Sequence, residues 1–125
     1  MRKFIGILLM TILIIPGCKS ELSVNEIYSF SKTLEEKFMS LNNNEYVQMI
    51  TDRGGIKYII INTSGMVTLE AESKANAVIF SVEETNVKSA IIERHIFKIT
   101  LDKEYEYIEL YRNGEQIAFD TVYGW

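Results

Sequence analysis

His95, Arg112 and Glu115 are the residues whose types could combine into a chemical site, with Glu93 two positions from the histidine. A guanidinium grips a carboxylate or phosphate through paired donors, and a histidine adds a donor that titrates near neutrality. A carboxylate such as Glu115 would orient the guanidinium, so the chemistry would be the binding of an anion. The competing reading is a satisfied polar rim where a core face meets solvent, and it is the preferred one, because structural ion networks resemble functional ones. Other chemistry is sparse. His95 is the single histidine and Cys18 the single cysteine, and no Gly-rich phosphate loop, HExxH, paired CxxC or GxSxG elbow is present. One histidine and scattered carboxylates lack both a calcium-loop spacing and the soft ligands of zinc. Neither a catalytic set, a metal nor a cofactor is expected.

The elements that must position these residues read as strands from Tyr46 onward, separated by turn residues at 52–55, 62–65, 73–76, 102–104 and Asn113-Gly114. Asn113-Gly114 suits a type I′ hairpin, whose two central residues need positive φ. That turn pairs Arg112 with Glu115, Leu110 with Ile117 and Ile108 with Phe119. Carried across the preceding turn, the same register sets Phe97 beside Leu110 and Ile99 beside Ile108, and brings His95 into one row with Arg112 and Glu115. Upstream, pairing Ile61 with Met66 and Glu72 with Ala77 aligns Tyr58 and Ile60 with Val67, Leu69, Phe80 and Val82. Val47 and Met49 continue that face. Ile59, Ile61, Tyr107 and Tyr111 then fall on the other face, which marks either a partner surface, a second covering layer or partial barrel closure. Trp125 in the terminal Tyr123-Gly124-Trp125 would either plug one end of the core or anchor a partner.

Ahead of the strands, Ser23 and Glu26 fit a capping box, and Leu22 and Ile27 a hydrophobic staple. Ile27, Phe30, Leu34, Phe38 and Leu41 follow at intervals of three or four, so the spacing predicts a helix over about 24–41 with this stripe on the sheet. The expected fold is α+β: one N-terminal helix on a six- to seven-stranded antiparallel meander, as a curved sheet or incomplete barrel.

Residues 1–18, MRKFIGILLMTILIIPGC, place two cations before a twelve-residue apolar run, Phe4 to Ile15. A spanning helix needs about 20 such residues, so this reads as a removable export signal. Its end, Ile15, Gly17 and Cys18, resembles the lipobox of bacterial lipoproteins. That resemblance implies cleavage before Cys18, lipidation of its thiol and a membrane anchor through the lipid. It leaves no free thiol for a Cys–His nucleophile. Lys19 stands where enteric bacteria carry an inner-membrane retention aspartate, which by the same resemblance favours the outer membrane.

The expected organisation is a signal peptide at 1–17, a lipidated tether at 18–22 and a single globular domain at 23–125. Without Arg2 and Lys3 the chain holds 11 cationic and 17 anionic side chains, a balance that repels nucleic acid and anionic lipid surfaces. These features favour a non-enzymatic envelope lipoprotein that binds a protein partner, of the immunity, inhibitor, exclusion or assembly-factor kind. The alternative is a carrier that holds a small molecule or lipid in the hollow of a curved sheet.

Overall fold

Ile59, Ile60 and Ile61 are all fully buried. Successive strand residues point to opposite faces, so three buried neighbours require a strand covered on both sides. The computed structural model, which describes residues 21–85 and 91–124, shows that arrangement. Its elements are β1 (Ser23–Ile27), α1 (Lys32–Met39), β2 (Val47–Thr51), β3 (Lys57–Thr63), β4 (Met66–Lys74), β5 (Ala77–Thr85), β6 (Glu93–Thr100), β7 (Tyr107–Arg112), β8 (Glu115–Ile117) and β9 (Thr121–Gly124). They form two mixed sheets: five strands in the order β9-β2-β3-β6-β1, and four in the order β4-β5-β7-β8. β9 runs parallel to β2 and β7 parallel to β5; the other pairs are antiparallel.

The sheets pack face to face. Val47, Met49, Ile59, Ile61, Phe97 and Ile99 of the first meet Val67, Leu69, Val78, Phe80, Val82 and Leu110 of the second. On the other side of the five-stranded sheet, Leu34 and Phe38 of α1 cover Ile50, Tyr58, Ile60 and Ile96. Phe38 sets its ring edge-on to Phe30 and Tyr58, with centroids 5.2 and 5.4 Å away. β3 thus lies between two apolar layers, and its unbroken isoleucine run is the signature of that position.

The α+β meander is therefore corrected to a mostly β, two-sheet fold with one short helix. At Thr63–Gly65 the chain passes from the first sheet to the second instead of turning back, so Ile61 does not pair with Met66. Gly65 suits the passage, because a Cβ there would meet the Thr85 carbonyl oxygen at 2.7 Å. β6 likewise returns to the first sheet between β3 and β1, so Phe97 lies opposite Ile59 and Glu26 rather than Leu110. The β4–β5 hairpin forms with a tighter turn: Lys74 pairs with Ala77 and Glu72 with Ile79. A shift of two keeps every side chain on its expected face. The Asn113-Gly114 hairpin has Arg112 opposite Glu115 and Leu110 opposite Ile117, with φ of 50° and 85° at the turn. β8 ends at Ile117, so Ile108 and Phe119 do not pair.

The long N-terminal helix is also corrected. Ser23–Ile27 is a strand that pairs along its whole length with β6, sending Leu22 and Val24 into the inter-sheet layer. Backbone pairing and core burial of these side chains outweigh the local capping signal. α1 starts instead after Ser31, whose hydroxyl accepts from the Leu34 amide at 3.2 Å. The expected apolar stripe survives in another form: Ile27, Phe30, Leu34, Phe38 and Leu41 all join the outer layer, although only Leu34 and Phe38 lie in the helix.

Candidate functional site

The expected row of His95, Arg112 and Glu115 is divided between the sheets. His95 lies in β6 opposite Ile61, whereas Arg112 and Glu115 face each other across the β7–β8 turn. The partner of Arg112 is Glu84, with Nη2 3.2 Å from Oε1, and its guanidinium lies 4.2 Å from the centroid of the Tyr46 ring. Tyr107 is exposed at the start of β7, and the Tyr111 hydroxyl donates to Glu109 at 3.0 Å. Both tyrosines have the strand parity opposite to buried Leu110, on the outward side of the four-stranded sheet. Cys18 and Trp125 lie outside the described residues.

Only 6% of the Glu84 side chain is exposed, although it stands near the end of β5. It shares the parity of Val78, Phe80 and Val82, so alternation through β5 carries it onto the core face. Tyr46 donates to Oε1 at 2.5 Å and Thr63 to Oε2 at 2.8 Å, while the Gly65 amide donates to the Thr63 hydroxyl at 3.1 Å. Burial pushes the Glu84 carboxyl up, but the hydrogen bonds from Tyr46 and Thr63 and the charge of Arg112 together hold it below its ordinary value. Burial, then the hydrogen bond to Glu84, raises the Tyr46 phenol far above its usual range. These contacts tie β5 to the β3 end and the Tyr46 segment, across the two sheets. The opening beside Arg112 is lined by Glu84 and Glu115 as well as Asn113. An incoming anion would meet two carboxylates and a guanidinium already paired, so the arrangement is a structural tie rather than an anion site.

His95 contributes elsewhere. Its Nδ1 lies 3.1 Å from Glu26 Oε2 on neighbouring β1, and its buried Nε2 has no hydrogen-bond partner among the described residues. This pair lines a cleft of about 380 Å³ between the end of β1, α1 and the start of β6. Ile27, Phe30, Phe38 and Ile96 give it an apolar floor, and Glu26, Glu35 and Glu93 supply carboxylates. Tyr28 and Met39, also in the lining, are 83% and 75% exposed.

Arg94 fixes the wall made by α1. Its guanidinium donates to the Phe38 carbonyl and Asn43 Oδ1, to the Leu41 carbonyl at 3.3 Å, and through Nε to Asn62 Oδ1 at 3.2 Å. The carbonyls at a helix C-terminus lack intrahelical donors and carry partial negative charge, so a cation there both satisfies and attracts them. Burial lowers the Arg94 pKa. Arg94→Ala is expected to cost about 1–2 kcal/mol of stability and to speed amide exchange in α1 while β3 stays protected; hydrogen exchange by mass spectrometry reads both.

Sequence reasoning passed over Glu84, Arg94, Tyr46, Tyr28 and Met39. A detectable signal existed for Glu84, since period-two alternation from Phe80 places it inward. Among the described residues no group of three or more histidine, cysteine, aspartate or glutamate side chains could hold a metal, and no helix is long and apolar enough to cross a membrane. The chain matches no protein-family model, no curated protein and no solved structure.

Proposed function

We propose that this protein is a bacterial envelope lipoprotein, anchored through lipid on Cys18, whose β-sandwich binds a protein partner without catalysing a reaction. The observation that carries this reading is the placement of the cleft relative to the anchor. A chain running from Cys18 to Ser23 reaches roughly 17 Å at about 3.4 Å per residue, so the anchor holds the Ser23 end of β1 near the bilayer. Ser23 pairs with Thr100, and the opposite end of β1 pairs Ile27 with Ile96. The cleft, with exposed Tyr28 and Met39 in its lining, lies at that opposite end, about a strand length from Ser23. Exposed apolar side chains around a cleft suit a macromolecular partner.

The core side chains between the sheets, from Val47 to Leu110, are nearly or fully buried and pack against one another. This favours a binding module over a carrier, which would need a hollow in that layer. The outer membrane remains the proposed location, on the strength of Lys19.

Expression of the full chain in a bacterial host tests the reading. Mass spectrometry is expected to find a processed chain starting at Cys18 with the mass of attached acyl groups, and Cys18→Ala is expected to leave it unlipidated and released from membranes. An unmodified chain, or one that stays membrane-bound after Cys18→Ala, would overturn the anchor.

A further inference from the structure

We infer that the cleft between β1, α1 and β6 receives a polypeptide segment that presents a lysine or arginine beside an apolar side chain. The inference rests on the binding-module reading above and names its partner's chemistry. Glu26, Glu35 and Glu93 place three carboxylates around the cleft, and the one guanidinium in the lining is that of Arg94. Arg94 is turned onto the carbonyl oxygens of Phe38 and Leu41 and the amide oxygens of Asn43 and Asn62. It therefore supports the wall and offers little to an incoming anion, and the cleft keeps an excess of negative charge. The floor beneath is apolar. A long cationic side chain fits both features, because it lays its aliphatic stem on apolar surface while its charged head stays at the acidic rim. Exposed Tyr28 adds an aromatic face for the same head.

Volume and position favour a peptide. About 380 Å³ lies at the small end of the range for ligand sites, which suits a few side chains rather than an acyl chain. The cleft also lies at the end of β1 opposite the one that the tether holds near the bilayer, which favours a polypeptide over a lipid headgroup.

The test uses the full chain in detergent micelles and two fluorescent peptides of alternating residues, one of lysine and leucine and one of glutamate and leucine. Fluorescence anisotropy is expected to show saturable binding of the basic peptide that weakens as salt rises, and at least tenfold weaker binding of the acidic one. Glu35→Lys combined with Glu93→Lys is expected to weaken the basic peptide at least tenfold. Both positions are exposed, so the fold is retained. Glu83→Lys, half that charge change on exposed β5 surface, is expected to leave binding within twofold. Equal binding of the two peptides, or equal loss in Glu83→Lys and the double variant, would overturn the assignment. Binding to vesicles of anionic phospholipid in preference to the basic peptide would overturn it in favour of a lipid surface. Failure of the peptide assay with Cys18 still lipidated would remove the cleft and leave the anchor standing, whereas an unlipidated Cys18 with peptide binding intact would do the reverse.

Discussion

Phe80→Ala is expected to lower the unfolding free energy by about 3–5 kcal/mol, read as a lower urea midpoint with an unchanged denaturant slope. Phe80 is fully buried on β5, which pairs with β4 and β7 inside the four-stranded sheet. Its ring joins the layer made by Ile59, Ile61, Phe97 and Leu110. Strand backbones fixed by pairing on both sides have little room to close in, so truncation leaves a cavity on top of the lost transfer energy. Against a typical total of about 5–15 kcal/mol, that loss removes much of the margin. Tyr107→Ala, on exposed surface of the same sheet, is expected to change stability by less than about 0.5 kcal/mol. A loss below about 1 kcal/mol at Phe80 would mean that the two sheets do not close over it.

Glu84 governs the second large effect. Glu84→Ala leaves the hydroxyls of Tyr46 and Thr63 and the guanidinium of Arg112 without their shared acceptor. Breaking a buried ion pair costs about 3–5 kcal/mol, but the Arg112 side chain is 44% exposed and water can replace part of its interaction. About 2–3 kcal/mol is expected. Because the folded-state pKa of Glu84 lies below the ordinary value of 4.5, its carboxylate contributes stability that is fully present above about pH 4.5. That contribution is lost as the pH falls through the folded value. Glu84→Gln, which cannot ionise, is expected to show a smaller loss of stability on acidification than the wild type, measured by urea unfolding at a series of pH values. Parallel profiles would show that Glu84 does not carry that share of the acid sensitivity.

Strands β2 to β8 were legible as strands, because alternation and turn residues are written locally, whereas β1 and β9 were not. The turn of the β7–β8 hairpin and its Arg112–Glu115 and Leu110–Ile117 pairs were legible, since Asn113-Gly114 dictates both φ signs and register, but the expected Ile108–Phe119 pair was not formed. What alternation cannot state is which sheet a strand joins. Both β3 and β6 have apolar residues of each parity, and that pattern fits a sequential hairpin as well as it fits a strand between two layers. The Ser23–Ile27 segment misled for a related reason: its capping residues are a local signal, whereas its strand pairing depends on β6, some seventy residues away. The cleft shared that obscurity, since Glu26, Met39 and Glu93 meet only once β1, α1 and β6 are adjacent. His95 was expected in one row with Arg112 and Glu115, but its charged neighbour is Glu26 on β1.

The strands of the two sheets alternate along the chain: β1, β2 and β3 belong to the first, β4 and β5 to the second, β6 to the first, β7 and β8 to the second, and β9 to the first. Ser23 must wait for Thr100, and Gln48 for Thr121. Such distant pairings make folding slow, in milliseconds to seconds rather than microseconds for small domains of comparable size. A chain delivered from its N-terminus completes neither sheet until residues 115–117 and 121–124 have emerged, so it holds no finished layer through most of its delivery.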